Sequence, residues 1–243
     1  RLTFAVIDSK TGPVKRASLQ AHTFLEGKDI NDRPKKDLDI VYREWPDSKG
    51  GIYSTTAHFD ESGTWSIEMT MKESDGKKRL ARTSFTVKEN SATPPVGSLA
   101  PPSETKTALY GQDFPNVTSS TNPHAPLYKL SLKQAFNTGK PTVVVFATPA
   151  FCRTSTCGPQ VDVIVTLEKE LGDNVNFIHV EIYDNFHDLQ GSLKNAIVSP
   201  SVEEWTLPSE PWTFIMTSSG VISSKFEGFT TYVELREAIV ALD

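Results

Sequence analysis

The feature that most constrains this chain is a change of hydrophobic period partway along it. From Leu2 to about Glu89 the apolar residues recur at every second position in short runs, LTFAVID, ASLQAHTF, DLDIVYREW, GIYSTTAHF, GTWSIEMTM and LARTSFTVKE, parted by Gly, Asp, Asn, Ser and Pro. From Tyr128 onward, unbroken apolar runs alternate with stretches of helical period. Period two marks half-buried strands of an antiparallel sheet, whereas apolar strands alternating with helices mark a sheet covered on both faces. One core cannot satisfy both patterns, and 243 residues are enough for two.

The first pattern predicts an all-β sandwich over residues 1–90. Its clearest strand places Trp65, Ile67, Met69 and Met71 toward the core and Ser66, Glu68 and Thr70 toward water. No cysteine falls in this stretch, which excludes an internal disulfide between its sheets. Residues 91–110 come next, with four prolines and no apolar period, the composition of a semi-extended Pro/Ser-rich linker. Residues 111–243 carry the second pattern, with an irregular piece to Pro126 expected to wrap against the rest of that domain.

Within that second domain SLKQAFNTG reads as a short helix opened by Ser131 and closed by Gly139. PTVVVFAT reads as a buried strand, and GPQVDVIVTLEKELG as a helix with Pro159 near its start and Gly172 at its end. VNFIHVEIY is a second buried strand, FHDLQGSLKNAI a weaker helix, PWTFIMTSSGVISSKFEG a hairpin and YVELREAIVAL a closing helix. The prediction is a mixed four-stranded sheet flanked by helices. The acidic run Glu168 to Glu170 is most simply a solvated helix face.

Charge narrows the function classes. Lys plus Arg total 25 against 30 Asp plus Glu, mixed along the chain rather than gathered into a basic stripe, so nucleic acid is not an expected partner. No apolar run approaches the ~20 residues of a membrane helix. The sequence begins at Arg1, directly with a strand-like run, and a leader or anchor is expected outside it.

Cys152 and Cys157 are the whole cysteine inventory, too few for a disulfide scaffold and fitting for one exchangeable pair. Two residues five apart within one helix are separated by about 7.5 Å of rise, too far for a disulfide, so a bonded pair requires Cys152 in the loop. Cys157 then falls at the helix N-terminus, where unpaired N–H groups stabilise a thiolate, which makes it the candidate low-pKa sulfur. Cys152 is the candidate for the exposed sulfur that meets a partner. Arg153 adds a positive charge between them, or is an ordinary solvated arginine. The alternatives left open are redox exchange, a permanent staple of a noncatalytic binding module, and metal binding.

Two resemblances add to this. Residues 51–87, GIYSTTAHFDESGTWSIEMTMKESDGKKRLARTSFTV, resemble the second half of YtkA-like, immunoglobulin-type domains on the outer face of bacterial membranes. This implies an immunoglobulin-like sandwich and an extracytoplasmic address. Residues 143–160, VVVFATPAFCRTSTCGPQ, with EPWTFIMTSSGVI and the terminal EGFTTYVELREAIVAL, resemble the thioredoxin family in kind and in order. That resemblance implies a thioredoxin-like α/β fold, thiol-disulfide chemistry on protein thiols or disulfides with no cofactor, and a cis proline at Pro211 beside the cysteines. Glu210 would then face the pair and oppose a thiolate. The family has Cys-x-x-Cys, whereas four residues separate the cysteines here, and the carry-over of roles onto Cys152 and Cys157 is ambiguous.

Two further likenesses bear on the pair. Copper chaperones of the Sco type join two cysteines on a thioredoxin fold to a distant histidine, which here would be His187 or His124, although their Cys-Pro-x-x-Cys-Pro pattern is not present. Thr154-x-x-Cys157 resembles the peroxiredoxin Thr-x-x-Cys, with Ala150 where that family has proline. Trp205, Trp212 and Tyr183 are candidates for an apolar groove beside the cysteines, or for the core.

Overall fold

The computed structural model describes residues 1–27, 37–45, 50–72, 76–152 and 156–242. The chain divides into two compact units, Arg1–Asn90 and Ser91–Asp243.

The first unit is built from β-strands: β1 (Leu2–Phe4), β2 (Ile7–Asp8), β3 (Gly12–Pro13), β4 (Leu19–Leu25), β5 (Asp37–Leu38), β6 (Val41–Glu44), β7 (Gly51–Thr55), β8 (Gly63–Lys72) and β9 (Lys78–Val87). They form a three-stranded sheet in the order β1-β7-β6, a four-stranded sheet β5-β4-β8-β9 and a small β2-β3 ladder. Ala21, Ile67 and Met69 of the larger sheet form a core against which Phe4, Leu38, Ile40 and Phe85 pack. Trp65 joins the buried set as the alternation requires. Ser66 does not follow it: expected to face water, it is fully buried. Its hydroxyl donates to Glu26 Oε1 at 2.5 Å and lies 3.0 Å from Ser84 Oγ, and Arg82 Nε donates to it at 3.2 Å, so a polar network covers this part of the sheet's other face.

In the second unit β10 (Thr142–Ala147) is buried on both faces. It lies between β11 (Asn176–Glu181), which it pairs in parallel, and β12 (Trp212–Met216), which it pairs antiparallel, and β13 (Ile222–Glu227) completes the order β11-β10-β12-β13. Strand parity splits the core in two. Val143, Val145, Ala147 and Ile215 face α2 (Cys157–Leu171) and α4 (Tyr232–Val240). Val144, Phe146, Phe214 and Met216 face α1 (Leu132–Ala135), α3 (Pro200–Glu204) and Trp205. The caps match the residues present: Ser131 accepts from Gln134 N–H in a capping box, and Thr231 does the same with Glu234. A βαβ unit followed by a hairpin and a helix is the thioredoxin-like arrangement that the resemblance implies.

Three expectations are corrected by this architecture. Residues 91–110 belong to the second unit rather than to a free linker. Gly97 N–H and Ala100 N–H donate to Ile222 and Gly220, and Leu99 bridges Val221. Ala100 enters the core. Ser103 accepts from the buried Trp205 indole at 3.0 Å, Thr105 Oγ1 caps Leu132 N–H at 3.1 Å, and Lys225 Nζ donates to Ser91, Thr93 and Pro94. The weaker helix expected over 186–197 is two 3-10 turns, Phe186–Asp188 and Leu193–Asn195, because Gln190 and Gly191 between them both take positive φ. The acidic run is not simply solvated: Glu168 Oε2 meets His124 Nε2 at 2.6 Å, and Glu170 accepts from Arg236 at 2.8 Å and from the Tyr232 hydroxyl, which ties α2 to α4. Among the described residues no helix is long and apolar enough to cross a membrane.

Candidate functional site

The site grows out of the C-terminal end of β10. After Ala147 the chain turns, Phe151 N–H donating to Thr148 O at 3.2 Å and Ala150 N–H to Ser119 Oγ at 3.2 Å. It reaches Cys152 before entering α2 at Cys157. The two cysteines are joined in a disulfide with a Cα–Cα distance of 5.9 Å, inside the ordinary range. Their surroundings differ. Cys157 is completely buried in the core beneath α2, with Val161, Ile164 and Ala147, while Cys152 is half-buried at its edge.

The helix terminus therefore acts on the other sulfur from the one expected. The first N–H of α2, that of Cys157 itself, is directed at Cys152 Sγ, 3.3 Å away. Pro159 has no N–H to add, and a side chain placed on Gly158 would meet nothing within 4 Å, so the helix mouth is open there. A negative charge on sulfur is better served at Cys152, which has water access and a backbone donor, than at Cys157 among apolar side chains. Exposure and anion stabilisation fall on one residue.

Pro211 is buried, and its bond to the half-buried Glu210 is cis. The last β10–β12 ladder pair is Phe146 with Trp212, which sets Pro211 one residue further, at the end of the sheet from which the cysteine loop leaves. Gly228 N–H donates to Pro211 O at 2.8 Å.

The aromatic candidates separate. Trp205 is fully buried against Phe146 and Phe214, and Trp212 stacks on Phe214, so neither lines a groove. Tyr183 is half-buried with its ring 6.4 Å from Phe151. Arg153 and Thr154, on which the electrostatic and peroxiredoxin expectations turn, lie outside the described residues. For the copper alternative, His124 is engaged by Glu168, and the exposed His187 stands 3.4 Å from Asp188. Among the described residues no three His, Cys, Asp or Glu side chains converge to hold a metal ion.

A buried polar group that the sequence did not single out sits behind the loop. His179 is buried with Nδ1 at 2.8 Å from Tyr128 Oη and Nε2 at 3.1 Å from Ala147 O, the last carbonyl of β10. Burial holds its pKa below the usual imidazole value, against the opposing pull of the nearby Glu181 carboxylate. Burial likewise pushes the Tyr128 phenol up to about 12. Glu181 accepts from Ser119 N–H at 2.8 Å and Ile182 N–H at 3.1 Å. A histidine inside an apolar strand, NFIHVE, was the available signal.

No protein-family model matches the sequence, and no curated protein sequence matches it. Among solved structures the chain is similar to a putative thiol:disulfide interchange protein DsbE from Chlorobium tepidum, at 14% identity over 43% of this chain and 81% of that one, with a TM-score of 0.35. It is similar to a thioredoxin family thiol:disulfide interchange protein from Chlorobium tepidum TLS, at 15% identity over 43% and 80%, TM-score 0.35. It is also similar to StoA from Bacillus subtilis, at 20% identity over 41% and 82%, TM-score 0.33.

Proposed function

We propose that this chain exchanges disulfides with protein thiols outside the cytoplasm, through Cys152 and Cys157 on its thioredoxin-like unit. The observation that carries the reading is the asymmetry of the pair: a half-buried Cys152 sulfur facing a helix-terminal N–H, bonded to a fully buried Cys157. In the oxidised chain a partner thiolate attacks Cys152 Sγ, the Cys152–Cys157 bond breaks, and Cys157 leaves with the electron pair and takes up a proton. A second partner thiolate then attacks its own sulfur in the mixed disulfide and releases Cys152. The partner ends as a disulfide and this chain as a dithiol, with two electrons transferred. The same steps in reverse reduce a partner.

Pro211 enters the proposal as the residue that shapes the surface on which the partner chain meets Cys152, and Glu210 as the carboxylate that disfavours a thiolate there. The disulfide itself supports an oxidising, extracytoplasmic compartment, since such bonds are scarce in reducing ones. The first unit is read as immunoglobulin-like on the support of its two antiparallel sheets around a shared core. A second reading, a stapled loop without exchange, is favoured by the complete burial of Cys157.

The test is trapping. Cys157→Ser is expected to accumulate mixed disulfides on Cys152, because the resolving sulfur is gone, while Cys152→Ser accumulates far fewer. Equal trapping by both variants overturns the division of roles, and trapping by neither favours the staple.

A further inference from the structure

Beside the cysteine loop the second unit holds an open groove of about 540 Å³, within the ~300–1,000 Å³ range of ligand pockets. Phe151, the residue before Cys152, forms part of its wall, so the groove adjoins the loop that carries the sulfur used in the proposed exchange. Phe114, from the 3-10 turn Gly111–Asn116, and Phe186 supply further rings, and Ser120, Thr121 and His187 add polar atoms. None of the described residues lining it is Lys, Arg, Asp or Glu. Pro211 is not among the residues of this wall.

The backbone here has little to offer a partner's backbone. Ser119 N–H is taken by Glu181, Ser120 N–H by Thr118 Oγ1, Asn122 N–H by Ser120 Oγ and Ala150 N–H by Ser119 Oγ. Pairing with an added strand needs free donors, so recognition falls to the rings. A charged side chain entering this wall would find no opposite charge among the described lining residues, whereas an aromatic or aliphatic one would bury apolar surface against three phenyl rings.

We infer that this groove selects substrates: it seats an uncharged aromatic or aliphatic side chain from the protein segment that presents its cysteine to Cys152. The inference rests on the exchange reading, and its test separates the two. Two short peptides are prepared as mixed disulfides with glutathione, alike except that one carries Phe and the other Glu near the cysteine, and kcat/KM is measured with the reduced full chain. Glutathione disulfide is assayed alongside as a measure of the exchange chemistry. Cysteine-free versions of both peptides, with Ser for Cys, are titrated onto the oxidised chain by fluorescence anisotropy.

The Phe peptide is expected to be preferred by on the order of tenfold or more, the difference one well-seated anchor commonly makes. Thr121→Arg, a change at an exposed rim position, is expected to bring that ratio to one or below by offering Glu a partner. Exchange with glutathione disulfide but equal kcat/KM for both peptides overturns the groove and leaves the exchange standing. No exchange with any disulfide, together with Phe-selective anisotropy that Thr121→Arg abolishes, supports the groove and overturns the exchange. Absence of Phe-selective binding and of Phe-selective exchange overturns the groove.

Discussion

Replacing Ser103 with alanine measures whether residues 91–108 are part of the second domain's core. Ser103 is buried, its hydroxyl accepts from the Trp205 indole N–H at 3.0 Å, and it donates in turn to Glu204 Oε2. Trp205 is fully buried between Phe146 and Phe214, so its N–H has no water to turn to once the acceptor is gone. A buried donor left unsatisfied costs about 1–3 kcal/mol, whereas Glu204, exposed on α3, recovers its lost bond from solvent. The expected loss is therefore about 1–3 kcal/mol in the transition of the second unit. Chemical denaturation followed by tryptophan fluorescence and far-UV circular dichroism reads it, with Trp205→Phe as the control background. Phenylalanine has no N–H to leave unpaired, so Ser103→Ala should cost at least about 1 kcal/mol less in that background. A change below about 0.5 kcal/mol in the parent chain, or an equal cost in both backgrounds, would show that the segment is a tether after all.

Two further outcomes rest on the same geometry, and a third on the role proposed for Glu210. His179 resists protonation when folded but takes a proton when unfolded below about pH 6.5, so the unfolded state binds more protons there and stability falls as pH drops, at most about 1.4 kcal/mol per pH unit. His179→Gln, which keeps a donor and an acceptor without titrating, is expected to flatten that slope between about pH 7 and pH 5, and an unchanged slope would remove His179 as its source. Lys225, whose burial lowers its pKa, is the shared donor for Ser91, Thr93 and Pro94. Lys225→Met should open residues 91–95 to limited proteolysis, and an unchanged digestion pattern would contradict that tethering role. Glu210→Gln is expected to favour the reduced pair in a glutathione buffer, and a shift toward the oxidised pair would reverse the sign proposed for Glu210.

What the sequence disclosed and what it hid divide along physical lines. The five consecutive apolar residues of β10, the helix from Cys157 to Leu171 with Pro159 early in it, and the capping residues Ser131 and Thr231 act locally, so period and cap chemistry are enough to find them. Ser66 escapes the alternation because its burial depends on Glu26 and Ser84, remote in sequence. Residues 91–108 lack an apolar period because they are held mainly by single hydrogen bonds to distant partners, a pattern indistinguishable by composition from a free linker. On sequence the helix-terminal donor falls to Cys157, because a residue at a helix start lies near unpaired N–H groups, and only the fold of the loop shows that Cys152 Sγ receives that bond. The groove draws on residues 111–123, 150–151 and 186–187, three separate stretches with no shared motif.

The central claim is that the Cys152–Cys157 bond is exchanged rather than permanent. Equilibrating the folded full chain across glutathione buffers of increasing reducing strength, quenching, and counting free thiols by mass spectrometry tests it directly. The account expects Cys152 and Cys157 to appear as thiols together, in one two-electron transition, while circular dichroism shows the chain still folded. A pair that stays bonded at the most reducing ratio, or that opens only as the chain unfolds, would contradict exchange and leave a structural staple.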